Sequence, residues 1–522
     1  MSGKRKKAPN KVLTDVRIEK AAAEGSSLAH IDGKVLFVSY TAPGDLVDVE
    51  VYRQKSGYMQ GRVINLKEAS PLRVEPFCEH FGLCGGCKWQ HLDYAEQLKQ
   101  KQAQVCDNLQ RIGKVELPEP LPIIGCDNNR FYRNKLEFTF STKRWLTDEE
   151  VATADTLQPE DRQGLGFHLA GKFDKVLDLR RCFLQGDPSN EIRLFIKRKA
   201  QETGLDFYDL RTHTGYLRNV MVRNTLQGEF MVVLMIAGEP TPAFESLMNA
   251  LQTAYPCITS LMYAVNTKLN DSMGDLEIRL FSGKPYPTMK MPAYKEGDED
   301  LQFRVGPKSF YQTNSLQAAR LYRLAADFAD IREGETVYDL YTGTGTIANY
   351  VARMAKKVVG IEYVEDAVKD ARINSEINHL TNTEFFAGDM AQVFDEAFVQ
   401  QHGVPDIIIT DPPREGMHEK VSDRLLDDAL FGGKLSRIVY VSCNSATQAR
   451  DLQRLDSKYR VVKYRAVDMF PHTDHVESVV LLQRRSLTRR ESWEFRAGRG
   501  SRCRYSRFRG TAPWALRPHR FW

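Results

Sequence analysis

From residue 12 to 67 apolar and polar positions alternate in short runs, VLTDVRIEKAA, KVLFVSY, DLVDVEVYRQKSG and MQGRVINLKEA, punctuated at Gly25, Gly33, Pro43, Gly44, Gly57 and Gly61. A period of two is the mark of half-buried strands, and four or five such runs predict a small closed barrel of the OB type. A barrel that grips a ligand and one that grips none share this pattern. The period then changes: DYAEQLKQKQAQVCDNLQRI predicts a polar helix ending near Gly113. Residues 120 to 300 mix strands with helices, among them KLEFTFS, YLRNVMVRNT, EFMVVLMIAG and ITSLMYAVN, and RWLTDEEVATADTLQPEDRQ (144–163) looks like an acidic surface insertion. From about 301, helices alternate with almost wholly apolar strands, the pattern of a doubly wound parallel sheet. The expected organisation is an α/β multidomain chain: a basic leader (1–11), an OB-like barrel (12–70), a central α+β domain (71–300), a Rossmann-like domain (301–485) and an Arg-rich tail (486–522) that is expected to be disordered.

Composition narrows the class. With 522 residues, 42% hydrophobic and 27% charged, the chain is long enough for several buried cores, which excludes wholesale disorder. No apolar run approaches the ~18 residues of a membrane span. The start, MSGKRKKAPNK, has no apolar stretch after its basic residues, so a cytoplasmic protein without membrane attachment is expected. The net charge of +5 is uneven: residues 484–522 carry 12 Arg and 2 Glu, leaving 61 basic against 66 acidic side chains before them. Overall charge therefore says little about a polyanionic partner, and local patches must carry that argument. Nine cysteines include Cys78-x5-Cys84-x2-Cys87, which without a secretory signal suggests a metal or cluster site more than a disulfide frame.

The segment ETVYDLYTGTGTIANYVARMAKKVVGIEY reads as strand, glycine turn, helix, strand. Asp339 ends the first strand, Gly343 and Gly345 permit close backbone approach, and Glu362 ends the second strand, where a carboxylate accepts both ribose hydroxyls of a nucleoside. GTGTIA also satisfies the dinucleotide fingerprint, so NAD competes. Two features favour S-adenosylmethionine: the turn opens with an acid, which suits a cationic ligand, and PDIIITDPPREG places Asp411 at a strand end before two prolines that fix the chain.

KLSRIVYVSCNSATQARDLQRL puts Cys443 where an apolar strand meets a helix, and HTDHVESVVLLQR puts Glu477 near the same edge. A lone cysteine is more often a core residue. However, the carboxyl edge of a doubly wound sheet is where ligands bind. A thiol and two carboxylates beside a methyl donor suit one reaction, C5 methylation of uracil: Cys443 adds to carbon 6, carbon 5 takes the methyl, Glu477 removes the carbon-5 proton, and Asp411 orients the ring. In RFYRNK, Arg130, Arg133 and Lys135 interleave with Phe131 and Tyr132, supplying phosphate contacts and stacking faces, although a solvated strand edge looks similar.

Taken together, the barrel, CEHFGLCGGCKWQH, FYRNKLEFTF, FYQTN, DLYTGTGTI, DPPREG, VSCN and HVESVVLL resemble the RNA (uracil-5-)-methyltransferase family, and within it the 23S ribosomal RNA, RumA-type branch. The resemblance covers residues 12 to 484. It implies a TRAM domain for the barrel and makes Cys443 the nucleophile and Glu477 the base. It also sets Gln312, Tyr341, Thr346, Glu362, Asp389 and Asp411 around S-adenosylmethionine, with Phe310 as a stacking partner for a base. Cys182 in LDLRRCFLQGD would join Cys78, Cys84 and Cys87 around a [4Fe-4S] cluster, with zinc as the alternative that spacing alone does not separate. The partner implied is RNA, 23S ribosomal RNA first, acted on by a monomer. Transfer RNA as substrate and an idle RNA-binding assembly factor are the competing readings. Tyr341 and Thr342 depart from the Phe and Cys common among relatives.

Overall fold

A computed structural model describes residues 11–22, 25–169 and 172–485. The basic leader and the Arg-rich tail lie outside the described residues.

The first six strands are β1 (Lys11–Arg17), β2 (Lys20–Ala21), β3 (Ser26–Ile31), β4 (Lys34–Ser39), β5 (Leu46–Gln54) and β6 (Tyr58–Glu68), in the sheet order β1-β5-β6-β4-β3-β2. The two strands at opposite edges of that order, β1 and β2, are joined by two residues, so the sheet has to curl on itself. The predicted barrel is thereby formed, with one short strand more than the alternation suggested. Its core is the inward row Val16, Leu36, Val38, Val47, Val49 and Met59. Gly61 is required where β6 crosses β5, since a Cβ there would sit 2.2 Å from Val49.

Helix α1 (Tyr94–Asn108) follows the cysteine-rich loop; Asp93 caps it by accepting from the Ala95 N–H at 2.9 Å. Strand β7 (Leu121–Ile124) comes next. The central sheet contains β8 (Lys135–Ser141), β9 (Gly164–Leu169), β10 (Lys172–Asp178), β11 (Leu217–Asn224), β12 (Phe230–Ile236), β13 (Ile258–Val265) and β14 (Ile278–Gly283), in the order β10-β9-β8-β11-β12-β13-β14. The acidic insertion is an exposed excursion between β8 and β9, carrying the short helix α2 (Asp148–Ala152) and two single 3-10 turns. Helices α3 (Ser189–Glu202) and α4 (Pro242–Ala254) bury Ile192, Ile196, Phe244 and Leu247 against the sheet. Burial of each such side chain is worth about 1.5–3 kcal/mol. A two-stranded ribbon, β15 (Thr288–Met291) and β16 (Leu301–Arg304), leads on.

The last sheet is built by α5 (Ser315–Ala329), β17 (Thr336–Leu340), α6 (Thr346–Ala352), β18 (Lys357–Glu362), α7 (Glu365–Ile377), β19 (Thr383–Ala387), α8 (Met390–Val393), α9 (Glu396–His402), β20 (Ile407–Thr410), α10 (Glu419–Leu425), α11 (Asp428–Phe431), β21 (Arg437–Ser442), α12 (Ser445–Leu455), β22 (Tyr459–Val467) and β23 (Glu477–Arg484). Its order is β19-β18-β17-β20-β21-β23-β22-β7, parallel from β19 through β21 and antiparallel at β23. Apolar clusters cover both faces, which is why these strands are apolar throughout.

The sheets cut across the linear division at residues 71–300. Strand β7 pairs in parallel with β22, and Leu109, at the end of α1, joins the cluster under the last sheet, so residues 94–124 are built into the C-terminal unit. The short LPII strand, with a proline inside it, suits a sheet edge.

Candidate active site

The sheet order sets six of the predicted residues in a row. Asp389 lies just past β19, Glu362 ends β18, Tyr341 follows β17, Asp411 follows β20, Cys443 follows β21, and Glu477 opens β23. Because β23 runs antiparallel and Ser442 pairs with Ser478, Cys443 and Glu477 are the next positions across that ladder. All six line one cleft of about 1520 Å³, together with Gln312, Thr346, Phe310 and Arg133. Cys443 thus opens to a nucleoside-sized space instead of the core.

The half of the cleft under β17, β18 and β19 is tied up by its own hydrogen bonds. Glu362 accepts the Gly343 N–H on one oxygen (3.1 Å) and the Val364 N–H on the other (3.0 Å). Asp389 caps α8 by accepting from the Ala391 N–H at 2.9 Å. Thr346 donates to the Tyr322 hydroxyl at 3.2 Å, and the Gln312 carbonyl accepts from the Asn134 amide at 2.9 Å. Gly345 has φ +75°, and a Cβ there would lie 2.9 Å from both Ala371 and Asn349, so the turn requires glycine. Tyr341 holds φ +65°, a strained setting for a bulky residue, and burial pushes its hydroxyl up to about 12. Asp339 corrects an expectation. It is wholly buried and does not line the cleft; one oxygen accepts from Thr342 (2.5 Å) and the Ala348 N–H (3.0 Å), so it braces the turn and does not face a cation. The acids that do face the cleft on this side are Glu362, Asp366, Asp370 and Asp389.

The other half is electrostatically unsettled. Burial raises the Asp411 carboxyl to about 7. Glu477, 5% exposed, is raised to about 8 by burial and then by Asp411, with Arg414 opposing. The Cys443 thiol is pushed up to about 11 by burial, then by Glu477 and Asp411, and Arg414 again opposes. Three acids competing for ionisation in one desolvated corner hold protons that a cation would release. Arg414 was not singled out from the sequence, although it stands in DPPREG; a cation three residues past Asp411 was the available signal. Phe470 and His475, which also line the cleft, come from the loop before Glu477 and carried no motif signal of their own.

The basic-aromatic segment divides. Arg133 lines the cleft, its guanidinium 5.3 Å from the Phe470 ring and its Nε buried without a partner. Phe310 is 68% exposed at the cleft wall. Arg130 and Lys135, expected as substrate contacts, do not line it: Arg130 stacks 3.9 Å over Phe77 and Lys135 pairs with Glu137 at 2.8 Å. The segment is chiefly a bridge. Phe131 and Arg133 N–H groups donate to Phe183 and Leu184 carbonyls, and the Asn134 N–H to Thr313, each at 2.7 Å, which joins the chain beside Cys182 to the FYQTN turn.

Cys78, Cys84, Cys87 and Cys182 line one small cavity between the cysteine loop and the central sheet. Sulfur acceptors there already have N–H donors: Gly86 to Cys84 at 3.4 Å, with His80 and Phe81 serving Cys78, Gln90 serving Cys87 and Leu184 serving Cys182. Burial and mutual repulsion push Cys84 to about 11 and Cys87 to about 12, so four thiolates would persist there only around compensating positive charge. Among the described residues no group of three or more His, Cys, Asp or Glu side chains that could hold a metal ion is found, so the expected cluster is not shown.

Among the described residues no helix is long and apolar enough to cross a membrane. The profile of the tRNA (uracil-5-)-methyltransferase family matches residues 292–485, and that of the TRAM domain matches residues 13–64. The chain is 52% identical over 474 residues to an uncharacterized RNA methyltransferase of Porphyromonas gingivalis, covering 90% of this chain and 99% of that one. It is 50% identical over 467 residues to one of Bacteroides thetaiotaomicron, covering 89% and 100%. Among solved structures it is similar to Pyrococcus abyssi tRNA (uracil-54, C5)-methyltransferase in complex with S-adenosyl-L-homocysteine, with TM-score 0.67 and 29% identity over 90% of this chain and 100% of that one.

Proposed function

The chain belongs to the RNA (uracil-5-)-methyltransferase family, and on that premise we propose that it methylates carbon 5 of a uridine in 23S ribosomal RNA by covalent catalysis at Cys443. The observation that carries the reading is the adjacency of Cys443 and Glu477 across β21 and β23, with Asp411 beside them in the same cleft.

S-adenosylmethionine supplies an electrophilic methyl on a sulfonium. Gln312, Tyr341, Thr346, Glu362, Asp389 and Asp411 would hold it, with Glu362 the carboxylate suited to a ribose. Once its thiol proton has passed to water, Cys443 Sγ forms a bond to carbon 6 of the uracil while Asp411 steadies the ring, and the electron pair passes toward carbon 5 and the 4-carbonyl. Carbon 5 would then take the methyl, the sulfonium's C–S bonding pair leaving with S-adenosylhomocysteine. Glu477 accepts the carbon-5 proton, the C5–C6 double bond re-forms, and the thiolate leaves. A cation bound beside the three raised acids would lower all of them and favour their ionised forms. Phe310 and Arg133 flank the uridine, which has to leave its stack to present both carbons.

Cys78, Cys84, Cys87 and Cys182 line one small cavity, and a soft four-thiol set suits a [4Fe-4S] cluster or a zinc ion alike, the cluster being what the resemblance implies. Cys78, Cys84, Cys87 and Cys182 would hold it. No proton or methyl step in the scheme uses it, so its contribution is to secure the loop.

Ribosomal RNA is favoured by the likeness of the cysteine motif and barrel to the 23S branch. Transfer RNA is the second reading, favoured by the P. abyssi enzyme, whose whole length aligns with this chain. The test uses ribosomal and transfer RNA transcripts carrying 5-fluorouridine, whose carbon 5 has no removable proton. An adduct on Cys443 that survives denaturation and contains one transferred methyl is expected with ribosomal RNA. Attachment at another residue overturns the mechanism, and trapping by transfer RNA alone overturns the substrate class.

A further inference from the structure

Glu477 stands at the end of a strap, residues 468–476, that joins β22 to β23 and whose Phe470 and His475 line the cleft. The strap is held from outside its own sheet, by the stretch that follows Cys87. The N–H groups of Lys88 and Trp89 donate to the His472 carbonyl at 2.8 and 3.0 Å. The side chain of Gln97, on α1 and fully buried, grips the same residue twice: Oε1 accepts the His472 N–H at 2.9 Å and Nε2 donates to His472 Nδ1 at 3.1 Å. Nε2 also reaches the carbonyls of Trp89 and Leu92, both at 2.9 Å. One helical turn on, Lys101 Nζ donates to Asp468 Oδ1 at 2.6 Å and to the Phe470 carbonyl at 3.0 Å, in an ion pair with no exposure on either side. His472 has φ +65°, a backbone setting that needs external support.

We propose that Gln97 is a positioning residue for the proton acceptor Glu477: by clamping the strap at His472 it joins the cysteine loop to the reacting wall of the cleft. Packing alone does not explain the arrangement. A buried amide whose oxygen takes the His472 N–H while its nitrogen is shared among His472 Nδ1 and the Trp89 and Leu92 carbonyls ties strap, loop and helix together in one orientation, and a misplacement near 1 Å at a reacting group costs about 10²-fold in rate. The inference rests on the reading of Glu477 as the base, and it adds a specific consequence. Loosening the strap should spare addition of Cys443 and methyl transfer and slow the later proton removal.

The test compares the full-length chain with Gln97→Leu, Gln97→Glu and Glu477→Gln on unmodified RNA substrate and S-adenosylmethionine. Gln97→Leu should lower kcat about 10- to 100-fold, shift KM for S-adenosylmethionine less than twofold, and build up a methylated RNA–protein adduct that resists denaturant. The wild type should show no such adduct. Gln97→Glu, which keeps the acceptor for the His472 N–H, should lie between them and decides the matter if the leucine variant does not fold. An adduct in Glu477→Gln with none in either Gln97 variant overturns the positioning role while leaving the chemistry intact. Absence of the adduct in Glu477→Gln as well overturns the assignment of the base on which the inference stands.

Discussion

The two halves of the cleft are built on opposite principles. Beneath β17 to β19 two of the cleft-facing acids are already engaged: Glu362 by two backbone N–H groups and Asp389 as a helix cap. Beneath β20, β21 and β23 the acids are restrained only by burial and by one another. The first half is organised in advance and loses little on binding a nucleoside. The second stores unmet demand for a cation, which the methyl donor brings. Binding and chemistry are thus separable along one sheet edge, and each half has its own mode of failure.

The sharpest break is Cys443→Ala. Methyl transfer to RNA should fall by roughly 10⁴-fold or more, while calorimetry shows S-adenosylmethionine binding within twofold of the wild type. Equal loss of both would erase the distinction between the halves. Next in size, Glu362→Ala should weaken S-adenosylmethionine binding roughly 10- to 100-fold, the worth of a charged hydrogen-bonding group, with kcat at saturation changed far less. The smallest effect is on pH. Glu477 is raised from the ordinary carboxyl range to about 8 and the Cys443 thiol to about 11, so kcat/KM should climb through pH 8 and go on rising toward the thiol's range. The same shift has a stability sign: a carboxyl raised by folding favours the folded state below its unfolded pKa and loses that contribution as pH passes 8. Thermal stability of the protein without donor should therefore decline from pH 5 to 9 and decline less in Glu477→Gln. At pH 7, calorimetry in buffers of different ionisation heat should show more proton release with S-adenosylmethionine than with uncharged-sulfur S-adenosylhomocysteine.

Much of the cleft was legible because strand ends carry their chemistry in sequence. DLYTGTGT, IIITDPP and VYVSCN each run an apolar strand into a polar turn, and a doubly wound sheet forces such turns to one edge. What escaped was whatever depends on side-chain direction or on distant partners. Asp339 reads as an exposed acid until its position inside the turn is seen. Lys135 and Arg133 differ by two residues, yet one pairs with a strand neighbour and the other reaches the cleft. Arg130 is spent on Phe77. The membership of α1 and β7 in the C-terminal unit leaves no local trace, since a four-residue apolar run says nothing of a partner so far along the chain.

That distant pairing bears on how the polypeptide is made. Leu121 meets Arg465 only after about 340 further residues have been synthesised, roughly 20–70 s at about 5–20 residues per second. During that interval LPII and the apolar side of α1 wait without their mates, exposed to whatever chaperone stands at the ribosome exit. An enzyme of this kind therefore completes its fold only as the last strands emerge, and a nascent chain halted before Tyr459 would carry a cysteine loop with no reacting wall to brace.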